Sequence, residues 1–205
     1  MYRIRPALPA VLAGALMLAG AACTAETAPP AESHGGPRVI AADCVDLQHG
    51  GEHLVLDVVH GLHPLDPGSA ALNNDYSAGD GIVVEQLAWV LLGARTQQDA
   101  DGVLFVYATE RNSEFPAVES MQRTIFESSG TSAKVADLGL GRARVAGQVA
   151  ETAALATDNG EYDAWTFTSG KTRFIVVTHQ VPDAGPFDLS ERVPDLLSAG
   201  GCTDV

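Results

Sequence analysis

The stretch GEYDAWTFTSGKTRFIVVTHQ, residues 160–180, constrains the fold more than any other part of the chain. Aromatic and β-branched residues crowd both of its halves, and Ser169-Gly170-Lys171 separates them. Side chains of that kind fit a pleated surface, and a glycine-centred break between two such runs is the signature of a hairpin. The two-residue period sets Trp165 and Phe167 on one face of the first strand and Ile175 and Val177 on one face of the second. An isolated hairpin is marginal in water, so this one has to belong to a larger antiparallel sheet.

Further strands are legible upstream. HLVLDVVH (53–60) is apolar and β-branched, with Gly50 and Gly51 before it and Gly61 and Pro64 after it. GLHPLDPGSAALNNDYSAGDG (61–81) reads as a long loop. Residues 82–109 hold two apolar runs, with the hairpin signal Asp101-Gly102 ahead of the second. A helix over the first run would align Val84, Leu87, Val90 and Leu91, but its valine-rich start, Trp89 and the turn favour a strand. Glycine-marked material through 134–155 gives one or two more strands.

Helical spacing occurs in two places. Within 113–130, Phe115, Val118, Met121, Ile125 and Phe126 follow it, with Pro116 suited to a first turn and Gly130 to the stop. Near the C-terminus, Asp188 and Glu191 form a capping-box pattern ahead of Val193, Leu196 and Leu197, and Pro194 is expected to kink or split that helix. Strands with helices segregated among them predict an α+β fold: an antiparallel β-sheet with two or more flanking helices, in one domain over 39–205. The hairpin YDAWTFTSGKTRFIVVTHQ, an acidic linker and the short helix DLSERVPDLLSAG resemble the C-terminal half of PsbP-like domains. Such domains recur in actinobacterial lipoproteins and in the photosystem II extrinsic protein, and the resemblance implies a PsbP-like sandwich.

The N-terminus carries an address. Arg3 and Arg5 precede an uncharged run from Ala7 to Ala22, which is the layout of a secretory signal and short for a membrane span. The run ends LAGAAC at Cys23, similar to the lipobox of bacterial lipoproteins, with Gly20 where that family usually has leucine. The resemblance implies residues 1–22 as a signal peptide and acylation of Cys23, anchoring the protein to the outer face of the cytoplasmic membrane. Residues 23–38 are Thr, Ala, Glu, Pro, Ser and Gly without apolar periodicity, a flexible tether in which His34 is solvated.

Charge narrows the partners. Without Arg3 and Arg5 the chain has ten basic residues against 26 acidic ones. Nucleic acid needs Lys and Arg to displace its counterions and is therefore not expected. The membrane, through the anchor, and an envelope protein or small ligand are. Cys44 and Cys202 stand near the two ends of the domain, and in an oxidising compartment such a pair is expected to be a disulfide.

Catalytic patterns fail one by one. Gly170-Lys171-Thr172 ends like a phosphate loop, but Trp165 occupies the place of the opening glycine. A calcium loop starting at Gln97 would need glutamate where Ala108 stands. Gly130-Thr131-Ser132-Ala133-Lys134 lacks the second glycine of a nucleophile elbow. HGGEHLVLDVVHGLHP remains, with His49, His53, His60 and His63, and Glu52, Asp57 or Asp66 nearby. Imidazoles ligate zinc and copper, although a strand reading puts His53 and His60 on opposite faces, and plain solvated histidines fit as well. His179 reads as a strand-end residue, and Trp89, Trp165, Tyr107 and Phe174 as core or the lining of a cleft. The function these observations predict is a lipid-anchored envelope protein with a non-catalytic binding domain and no required cofactor. A zinc- or copper-binding protein and a hydrolase are the alternatives.

Overall fold

The computed structural model describes residues 38–41, 43–65, 76–77, 83–96, 98–110, 138–158, 160–182 and 184–202. They build two antiparallel sheets and one short helix. The small sheet has the order β1-β2-β3-β12, from Arg38–Ala41, Cys44–His49, Glu52–Asp57 and Leu197–Ala199. The large sheet runs β4-β6-β7-β11-β10-β9-β8, from Leu62–Pro64, Val83–Leu92, Gly102–Glu110, Thr172–Gln180, Gly160–Ser169, Gln148–Thr157 and Gly139–Val145. A two-residue strand β5, Tyr76–Ser77, pairs with β6.

Turn chemistry sets these registers. Gly50 and Gly51, both at positive φ (58° and 82°), form the two-residue turn between β2 and β3, so that His49 pairs with Glu52. Left-handed values at both central positions define the type I′ turn, whose twist matches that of the strands it joins. Ala146 and Gly147 do the same between β8 and β9, at φ 50° and 75°. In the 160–180 hairpin Gly170 and Lys171 are the two central residues and Ser169 pairs with Thr172, so the turn is one residue shorter than the expected Ser169-Gly170-Lys171 break.

Alternation then sorts the side chains. Leu47, Leu54 and Leu56 of the small sheet and Leu104, Phe174 and Val176 of the large one meet in the main core, and all are fully buried. Trp165 and Phe167 also belong there. Ile175 and Val177 point to the other face of the large sheet, into a second cluster with Val84, Tyr162, Ala164 and Leu155.

The helix α1, Leu189–Leu196, buries Leu189, Val193 and Leu196 in the main core. Asp188 caps it, its Oδ1 accepting from the backbone N–H of Ser190 at 2.9 Å and of Glu191 at 3.2 Å. Gln180, the last residue of β11, accepts from Leu189 N–H and donates to the Phe187 carbonyl, tying the helix start to the sheet. Pro194 stands inside the helix without splitting it, and the chain passes into β12 after Leu196.

The expected α+β architecture with two or more flanking helices is corrected by this arrangement: the domain is a β-rich fold of two sheets, with one eight-residue helix among the described residues. The second sheet is what the sequence reading missed. Gly50-Gly51 closes a hairpin instead of bounding a lone strand, and CVDLQH alternates inward Val45 and Leu47 with outward Asp46. Asp101-Gly102 is not the turn itself, because Gly102 already opens β7 and residues 93–101 make the connection. The helix expected over 113–130 lies outside the described residues. So do the signal peptide, Cys23, Asp66 and nearly all of the tether.

Candidate functional site

The four histidines of HGGEHLVLDVVHGLHP are distributed, not gathered. His49 closes β2 and His53 lies on β3, whereas His60 is an exposed turn residue beyond the end of that strand. His63 lies on β4 opposite Leu91, six residues along β6 from Glu85, the neighbour of His49. Six strand residues span about 20 Å. Among the described residues no group of three or more His, Cys, Asp or Glu is placed to hold a metal ion.

His53 belongs to a small polar cluster on the outer side of the small sheet. Its Nδ1 is 3.1 and 3.2 Å from the two carboxylate oxygens of Asp46, which also accept from Gln48 Nε2 at 2.8 Å. Asp46 is almost fully buried, so two charge-assisted bonds replace the water it has lost. A carboxylate on Nδ1 makes that nitrogen the donor and leaves Nε2 as the basic one. Metal-bound histidines are oriented in this way, yet His53 and Asp46 belong to no group of three such residues placed to hold a metal among the described residues. Beside it, the disulfide Cys44–Cys202 fastens the C-terminal tail to β2.

His49 sits where the tips of two hairpins meet. Its Nδ1 is 3.3 Å from Thr172 Oγ1, and its Nε2 is 3.7 Å from a carboxylate oxygen of Glu85. Thr172 in turn donates to the His49 carbonyl at 2.9 Å. Hydroxyl, imidazole and carboxylate in line invite comparison with a hydrolase relay. The chemistry does not follow, because Thr172 is fully buried and its proton is committed to a backbone carbonyl. Next to it Ser169 Oγ donates to Glu52 at 3.1 Å, and the Glu52 carboxylate occupies the place a Cβ on Gly170 would take. Gly50 is equally tight, since an added Cβ would lie 2.9 Å from Thr172 Oγ1. These groups lock the small sheet onto the large one.

The aromatic residues divide by face. Trp165 and Phe174 are core, and Trp89, Phe105 and Tyr107 form a row on the opposite face, with centroids 5.3 and 6.1 Å apart. Burial pushes the Tyr107 hydroxyl up to about 12. His179 stacks on Tyr162 at 4.2 Å, a contact that a lone strand-end histidine does not announce.

A cleft of about 280 Å³ opens where β9, β10 and β11 meet the loop into α1, lined by Thr157, Glu161, Gln180, Pro182 and Asp188 among others. Asp163 lies two residues along β10 from Glu161, and its pKa is raised from 3.8 to about 6 by burial first, then by the charges of Glu161 and Asp188. The direction fixes a pH dependence. A carboxyl whose folded value exceeds its unfolded one costs nothing below about pH 4 and its full penalty above about pH 6, so stability falls as pH rises through that window. Asp163→Asn should therefore match the parent at pH 4 and exceed it at pH 8 by on the order of 1–2 kcal/mol after allowing for solvent screening. Urea unfolding at the two pH values measures this, and an equal shift at both would refute it.

A scan against family models and a search of curated proteins return no match. Among solved structures the chain is similar to the solution structure of cyanobacterial PsbP (CyanoP) from Synechocystis sp. PCC 6803, at 15% identity and a TM-score of 0.45, over 84% of this chain and 100% of that one. At that identity and superposition nothing of the neighbour's role carries over to this chain.

Proposed function

We propose that the protein is exported, anchored by an acylated Cys23, and acts through a β domain that binds a partner protein or small ligand without catalysing a reaction. One observation carries the non-catalytic half. Among the described residues, the arrangement closest to an active centre, Thr172, His49 and Glu85, has a buried hydroxyl whose proton is already donated. His49, Glu52, Ser169 and Thr172 hold two sheets together, and groups so employed are not available to a substrate. The anchoring half rests on LAGAAC and its cationic and apolar lead. Several acyl chains on one cysteine would make release rare, since each buried methylene contributes about 0.8 kcal/mol.

Cell fractionation tests the anchor. Cys23→Ser should move the protein from the membrane to the soluble fraction, and a variant that stays with the membrane would refute acylation there. A panel of ester, peptide and phosphate substrates tests the other half. Turnover abolished by a single substitution would overturn the binding reading.

A further inference from the structure

Sheet edges expose unpaired backbone groups, and proteins usually keep them short or covered. Among the described residues the edge strands β1, β4 and β12 obey that rule, with four, three and three residues. Another, β8, has seven residues, GLGRARV, of which Gly139 through Arg142 and Arg144 are exposed. It contains no proline, and no described residue is hydrogen-bonded to its outer edge.

The β8–β9 turn tells which residues own that edge. A two-residue type I′ hairpin hydrogen-bonds its closing pair, here Val145 and Gln148. Bonded and non-bonded pairs alternate along an antiparallel ladder. Gly139, Gly141, Ala143 and Val145 therefore bond to β9, and Leu140, Arg142 and Arg144 turn their N–H and C=O groups outward. The side chains of these same three residues share one face of the sheet, next to Val149 of β9. Leu140 and Val149 are 56% and 60% exposed, which leaves an apolar spot beside two guanidiniums.

Charge selects the occupant. The whole chain carries a formal net charge of −14, yet β8 places two of its 12 cations two residues apart and no acid on the strand itself. Glu151 stands across from Arg142 in the ladder without an ion pair between them, and the hydrogen bond of Arg144 is to the Gly147 carbonyl at 3.4 Å. At physiological salt, fields fade within about 8 Å, so a ligand on this edge meets the local positive charge and not the global negative one.

We infer that β8 is a docking edge for an extended, acidic segment of a partner protein, which adds a strand to the large sheet and presents carboxylates at alternate positions to Arg142 and Arg144 and an apolar side chain to Leu140. Main-chain bonds give such strand addition its affinity and alternate side chains its specificity. Carboxylates about 7 Å apart, two strand residues, match the spacing of the arginines. A second copy of this chain fits poorly, because antiparallel pairing of two β8 edges would set arginines against arginines. This inference rests on the binding reading above and names its surface.

The test titrates a fluorescein-labelled seven-residue peptide, in which four threonines alternate with one valine and two glutamates, against the full chain, with fluorescence anisotropy and hydrogen exchange as readouts. Saturable binding should protect residues 138–145, and lysine in place of the two glutamates should weaken it at least tenfold. Arg142→Glu with Arg144→Glu should reverse that preference. Leu140→Pro deletes an outward N–H, leaves the β9 ladder and both arginines intact, and should abolish binding. Equal binding of acidic and basic peptides, protection away from β8, no saturable binding, or a dimer that protects β8 without peptide would each overturn the inference. None of these bears on fractionation of Cys23→Ser or on substrate turnover, so the two readings fail separately.

Discussion

Cys202→Ser should lower the stability of the domain by about 5 kcal/mol, the largest single effect expected for this protein. The disulfide it removes joins residues 158 positions apart, and the chain-entropy account of a cross-link grows with the length of chain enclosed. Its partner Cys44 lies on β2, two residues from buried Asp46. Urea unfolding measures the change, and a reductant acting on the parent should reproduce it. A midpoint that does not move in either experiment would show that packing alone holds the two ends together.

Phe174→Ala should cost about 3–5 kcal/mol. Phe174 is wholly buried near the start of β11, opposite Ala108 on one side and Phe167 on the other, and its ring stacks on that of Phe167 at 5.7 Å. Truncation leaves a cavity between the sheets that small Ala108 cannot fill, and the rigid ladders on both sides limit collapse. Phe174→Leu should lose less than half as much. Thermal unfolding distinguishes the variants, and a near-neutral alanine would mean that the sheets close over the gap.

The strands at 83–92, 102–110 and 160–180 were legible because their signals are local: β-branched runs, a two-residue period and glycine at a turn. The small sheet was not, for a reason visible in Leu197–Ala199. Three residues following a helix carry no strand signal of their own and become one only because Val55 offers an edge to Ser198. Placement of the histidines failed similarly. Their nearness in HGGEHLVLDVVHGLHP is nearness along the chain, and hairpins and turns send His49 to one end of β6 and His63 to the other. The Asp46–His53 pair could have been sought, since the hairpin register sets Gln48 against His53 and Asp46 two residues away, but only once Gly50-Gly51 is read as a turn.

The small sheet also dictates an order of events. The large sheet is made of chain between Leu62 and Gln180, mostly from strands joined to their neighbours by short turns, and can assemble while later residues are still emerging. The small sheet draws three strands from the first 57 residues and its fourth from Leu197–Ala199. Contacts so distant along the chain form late, because loop closure has to precede any gain from pairing. The small sheet is therefore completed only once Leu197–Ala199 has been made. Until then β3 waits with an open edge, which the final strand and disulfide bring to a close.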